Sequence, residues 1–105
     1  MATDTVDYQD AGVMQYAAGG FTGAGAAVDV TLGFKPRYIK VFNETDATTW
    51  EWFKTMAATK VIKTVTAGTL TADTGTAILD NDDGTFTLSA TLAASGKVCS
   101  WIAFG

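Results

Sequence analysis

The sequence predicts an all-β fold, a small single-domain β-sandwich or jelly-roll-like barrel with an extended Ala/Gly-rich N-terminal segment. Three observations predict it. Short runs alternate apolar and polar residues with the period of two that a half-buried strand requires. Val, Ile, Thr and aromatic residues, which pack well on a pleated surface, fill those runs. Turn formers such as Gly, Asn and Asp punctuate them at close, regular spacing, as in sandwiches and barrels. A chain of 105 residues is one domain with room for a single core. With 48% hydrophobic and 17% charged residues it has the balance of a folded chain rather than a disordered one.

The elements follow in order. Residues 10–27 are dominated by Ala and Gly, with Tyr16 and Phe21 as isolated anchors. Glycine at that density disfavours helix and makes ordering costly in entropy. The segment therefore either docks as a strand on its own domain or is ordered by a partner. Its first part, residues 1–20, is read as an N-terminal arm and residues 21–105 as the sandwich domain. In residues 28–32, Val28, Val30 and Leu32 share one strand face and Asp29 and Thr31 the other. Gly33-Phe34-Lys35-Pro36 turns the chain, Pro36 fixing its own φ and biasing Lys35 towards extended geometry. Residues 37–42 resume the alternation, with Ile39 and Val41 on one face and Tyr38, Lys40 and Phe42 on the other. Both faces are apolar, which suits a strand covered on two sides or lying against a partner.

Residues 43–47 carry turn formers whose side chains bond nearby backbone. Residues 48–54 form the next strand, Trp50 and Trp52 on one face, Glu51 and Phe53 on the other. Each indole buries about 150–250 Å², an upper limit of about 4–6 kcal/mol, so these rings are not left in water. Residues 55–59 connect. Residues 60–66 and 68–72 are β-branched and threonine-rich strands, with Asp73-Thr74-Gly75 as punctuation. Residues 76–79 and 85–88 flank Asp80-Asn81-Asp82-Asp83-Gly84, a β-hairpin signal. A last strand runs over residues 97–104, for seven or eight in all, with no internal repeat and no dividing linker.

The composition argues against several functions. A net charge of -4 and a pI near 4.4 oppose a nucleic-acid partner, because phosphate neutralisation needs clustered Lys and Arg. Lys35, Arg37 and Lys40 are the only close basic group, and alternation divides them between two faces. The single cysteine, Cys99, lies in an apolar run and reads as a buried thiol; the chain has no histidine to activate it. Starting from Asp80, the acidic cluster with Asp82 and Asp83 fails the calcium-loop spacing and reads as a solvated turn. Glu51 between two tryptophans has the look of a sugar site, yet no second carboxylate is identifiable for glycosidase chemistry. Gly-Gly-Phe-Thr-Gly-Ala-Gly at residues 19–25 lacks the Lys-Ser/Thr ending of a phosphate loop and reads as a close-packing extended segment. No cofactor or metal is expected. The N-terminus lacks the basic start and apolar run of a signal peptide, and no stretch nears the length of a membrane helix, so synthesis in a cytoplasm and no membrane partner are expected.

Several segments together resemble small structural proteins of tailed bacteriophages. They are Phe21-Thr22-Gly23-Ala24-Gly25-Ala26-Ala27-Val28, then Gly33-Phe34-Lys35-Pro36-Arg37-Tyr38-Ile39-Lys40-Val41 with Asn43 and Thr45-Asp46, then Trp50-Glu51-Trp52 with Met56, and Ser100-Trp101-Ile102-Ala103-Phe104-Gly105. The resemblance implies a non-enzymatic virion protein, a capsid decoration or cement protein on the outer capsid surface, made in a bacterial cytoplasm. Its implied partners are the major capsid protein and further copies of itself, as a dimer or trimer. Similar openings occur in phage tail-fibre domains, so a receptor-binding tail module is the alternative. The residues expected to meet partners are Tyr8, Tyr16, Phe21, Trp50 and Trp52, with the two tryptophans and Trp101 stabilising the sandwich or an oligomer seam.

Overall fold

The computed structural model describes residues 15–56, 60–74 and 76–105 and shows an all-β chain of nine strands among them. These are β1 (Tyr16–Thr22), β2 (Val28–Thr31), β3 (Tyr38–Asn43), β4 (Thr48–Phe53), β5 (Val61–Thr64), β6 (Leu70–Asp73), β7 (Ile78–Asp80), β8 (Thr85–Leu88) and β9 (Val98–Phe104). They build two antiparallel sheets, a six-stranded one ordered β1-β9-β3-β4-β5-β6 and a three-stranded one ordered β2-β8-β7.

The strands predicted from alternation over residues 28–88 are present, with ends displaced by a residue or two, as expected where turn side chains compete for the last ladder bonds. The Asp-Gly signal makes the β7–β8 hairpin, in which Asp80 pairs with Phe86. The Gly-rich segment docks on its own domain: Tyr16 to Thr22 pair residue by residue with Phe104 to Val98. Residues 16–20 of the expected arm therefore belong to the large sheet, and residues 1–14 lie outside the described residues.

Alternation decides what each sheet buries. Ile39 and Val41 of β3, Trp50 and Trp52 of β4, Val61 of β5 and Cys99 and Ala103 of β9 turn one face of the large sheet inward. Phe86 and Leu88 of β8 and Ile78 of β7 meet them from the small sheet, with Val28 and Val30 packed at the margin. The loop after β8 adds Leu92 and Ala93, both wholly buried, Leu92 as a member of the core cluster. The Phe86 and Trp101 rings meet edge to face at 5.5 Å between ring centres, an arrangement that the ring quadrupoles favour.

Two glycines permit close approaches. A Cβ on Gly19 would meet the Trp101 indole at 2.8–2.9 Å, so its hydrogen lets that ring lie flat on β1. A Cβ on Gly23 would collide with the backbone carbonyls of Ala93 and Ala94. Around Gly23 the chain is stitched by bonds from its N–H to Lys97 O at 2.8 Å, from Gly96 N–H to Gly23 O at 2.9 Å and from Gly25 N–H to Ala93 O at 3.0 Å.

Candidate functional site

Opposite the core, the large sheet presents a second face that no element among the described residues covers. Its composition follows from register. Residues directly opposite in an antiparallel pair point to the same side, so each ladder position extends across the sheet as a row. The first row is Tyr16, Phe104, Tyr38 and Phe53, from β1, β9, β3 and β4. Its rings touch in sequence, with centroids 6.4 Å apart for Tyr16–Phe104, 6.1 Å for Tyr38–Phe104 and 5.0 Å for Tyr38–Phe53. The second row is Ala18, Ile102, Lys40, Glu51, Ile62 and Ala72 across all six strands. The third is Gly20, Ser100, Phe42, Thr49, Thr64 and Leu70.

None of these residues is buried, and Tyr16, Phe42, Phe53 and Leu70 are 40–65% exposed. Apolar rings and aliphatic chains thus dominate a continuous sheet face, the kind of patch that marks an interaction surface. Its charges are few and central. Tyr38 donates its hydroxyl hydrogen to Glu51 Oε2 at 2.8 Å, pinning the carboxylate between the first and second rows. Partial burial, then that bond and the carboxylate's charge, push the Tyr38 phenol up to about 12. Lys40, opposite Glu51 in the ladder, is exposed and has no ion-pair partner among the described residues. Gly20 and Ser100 lack bulk beside Phe42, and a shallow groove of about 190 Å³ runs there between Lys40, Phe42, Ser100, Trp101 and Ile102.

The other singled-out residues have structural employment. In the β7–β8 turn, Asp80 Oδ1 accepts the Asp82 N–H and Asp83 Oδ1 accepts the Thr85 N–H, both at 3.1 Å. The Thr85 hydroxyl donates to Asp83 as well, which is the main reason that the Asp83 carboxyl lies below its ordinary value. Asp82 forms a solvent-exposed ion pair with Lys35 at 3.4 Å. The Asn43 side chain, 2% exposed, closes the β3–β4 turn by bonding Asp46 at its backbone N–H and its carboxylate. Cys99 is 1% exposed, and burial, then the charges of Asp46 and Glu44, raise its thiol.

Of the residues expected to meet partners, Tyr16 stands on the outer face, at the open end of the aromatic row. Phe21 points the other way and packs against the core margin. Trp50 and Trp52 lie in the core at 5% exposure each, with the Lys63 ammonium 5.6 Å above the Trp50 ring. Tyr8 lies outside the described residues. Phe104, Tyr38, Phe53 and Phe42 belong to the outer face and are not among the partner-meeting residues that the sequence singles out. The alternation of residues 37–42 held a signal, since it placed Tyr38, Lys40 and Phe42 together opposite a buried face.

No family model, curated protein or solved structure matches this chain.

Proposed function

We propose that this protein is a non-enzymatic structural component of a tailed-bacteriophage virion, a decoration protein that binds the outer capsid surface and stabilises contacts between major capsid subunits. The observation that carries the reading is the outer face, uncovered among the described residues, with its row of four aromatic rings, which suits a protein whose work is contact with other proteins. The resemblance to phage structural proteins supports the virion setting. Its segments, dispersed in sequence, converge on the adjacent strands β4, β3 and β9 and on the approach to β2. Attachment to the capsid also needs extended backbone, and the edge of β1, unpaired on its outer side among the described residues, offers it to a pairing strand.

The test is addition of the purified protein to heads assembled without it. Saturable binding at a fixed number of copies per capsid subunit is expected, with greater resistance of the heads to heat. Failure to co-sediment with heads, or location at the tail tip by electron microscopy, refutes it, the second outcome favouring a receptor-binding module. The N-terminal arm ahead of β1 is the part expected to lie along the capsid, so removing residues 2–14 while keeping β1 intact is expected to abolish head binding and leave the sandwich folded. Cutting further would strip β1 from β9 and uncover the Trp101 ring.

A further inference from the structure

We propose that two copies of this chain pack outer face to outer face, about a twofold axis that runs along the strands midway between β3 and β4. The inference rests on the outer face being a contact surface, and not on capsid attachment. A rotation about that axis keeps each row opposite its own counterpart and exchanges β3 with β4, β9 with β5 and β1 with β6. The second row reads Ala18, Ile102, Lys40, then Glu51, Ile62, Ala72, a palindrome in size and a complement in charge. The rotation sets Ala18 against Ala72, Ile102 against Ile62 and Lys40 against Glu51, and repeats each pair by symmetry.

The third row is complementary in shape. Leu70, 65% exposed on β6, comes to face Gly20 on β1, which has no side chain and adjoins Ser100 and the groove by Phe42. Phe42 faces Thr49, and Ser100 faces Thr64. In the first row Tyr38 faces Phe53, continuing the aromatic contact across the seam. Lys40 gains a carboxylate partner that it lacks among the described residues, and Glu51 enters the seam already oriented by Tyr38.

The area is sufficient. Six strands about 4.8 Å apart and three rows about 7 Å apart make a face of about 500–600 Å², so two copies bury about 1,000–1,200 Å², at the lower edge of specific interfaces. Sheets stacked in this way approach to about 10 Å with their strands nearly aligned. A reversible dimer is the expected species, and its symmetry is closed, so no larger oligomer grows through this face.

Sedimentation equilibrium of the full-length protein in the absence of capsids tests the proposal, with Lys40→Glu and the exchanged double variant Lys40→Glu/Glu51→Lys beside the native chain. The native chain is expected to dimerise. Lys40→Glu places like charges opposite each other at both symmetry-related positions and is expected to raise the dissociation constant more than about tenfold. The double variant restores opposite charges and is expected to recover most of the loss, while circular dichroism reports whether each variant is folded. A monomeric native chain, a trimer, an unaffected Lys40→Glu dimer, or a folded double variant that stays dissociated overturns the proposal. A monomer that decorates heads would overturn this seam alone, and a dimer that ignores heads would overturn the capsid role alone.

Discussion

Replacing Gly23 by alanine is a small chemical change with a large expected cost. The added methyl carbon would sit 2.5 Å from the Ala93 carbonyl oxygen and closer still to that of Ala94. Both are backbone atoms of the segment that carries buried Leu92 and Ala93, so neither has a rotamer by which to yield. Forced overpacking of this kind costs about 1–3 kcal/mol. Parting β1 from the segment also weakens the bonds joining Gly23 to Lys97 and Gly96 and Gly25 to Ala93, at about 1 kcal/mol for each one lost. With one of these bonds lost, the sum is about 2–4 kcal/mol, or about 8–16 °C in melting temperature for a domain of this size. Gly68→Ala provides the comparison. Its φ is +84° with no heavy atom within 4 Å, so only left-handed backbone strain of about 1 kcal/mol applies. Thermal and urea unfolding followed by circular dichroism measure both. A Gly23→Ala protein melting within about 2 °C of the native one, or one hurt less than Gly68→Ala, would refute the close-approach argument.

Further outcomes follow from the core and the outer face. Phe86→Ala removes the largest wholly buried side chain together with its edge contact to Trp101, and is expected to lower the unfolding free energy by about 3–5 kcal/mol in urea titration. Phenolate absorbance during alkaline titration should show one of the three tyrosines ionising near 12. Because the folded pKa of Tyr38 lies above its unfolded value of 10.0, its stabilising contribution is complete below about pH 10 and disappears as pH rises to about 12. Glu51→Gln removes the charge that repels the phenolate, so the Tyr38 transition should fall, though burial holds it above 10.0; a transition unmoved by that substitution would show that the Glu51 charge has no part. Cys99 should react with a thiol reagent only as fast as the domain opens; rapid stoichiometric labelling in native buffer would contradict its 1% exposure.

Much of the fold was legible because strand alternation is a local property. Val28, Val30, Ile39, Val41, Trp50 and Trp52 fall on their inward faces from the period of two alone, and Asp83-Gly84 marks the hairpin through turn chemistry. The site was less legible because an aromatic row is made of residues far apart in the chain. Tyr16 and Phe104 sit at opposite ends of the described residues and meet only because β9 inserts between β1 and β3. Trp50 and Trp52 show the same limit. Alternation puts them on one face of β4 and cannot say whether that face meets the small sheet or a partner. Leu92 carried no strand signal, yet it is wholly buried, because the turn after β8 folds it into the core.

The sequence by itself thus determined the all-β class, the positions of most strands and the pairing of Asp80 with its hairpin partner strand, since each depends on neighbours within a few residues. Tertiary structure decided the strand order, the burial of the tryptophans and the outer face with its palindromic row of Ala, Ile, Lys, Glu, Ile and Ala. Those features depend on long-range register, which is set when whole apolar faces find each other and which no local stretch of chain contains.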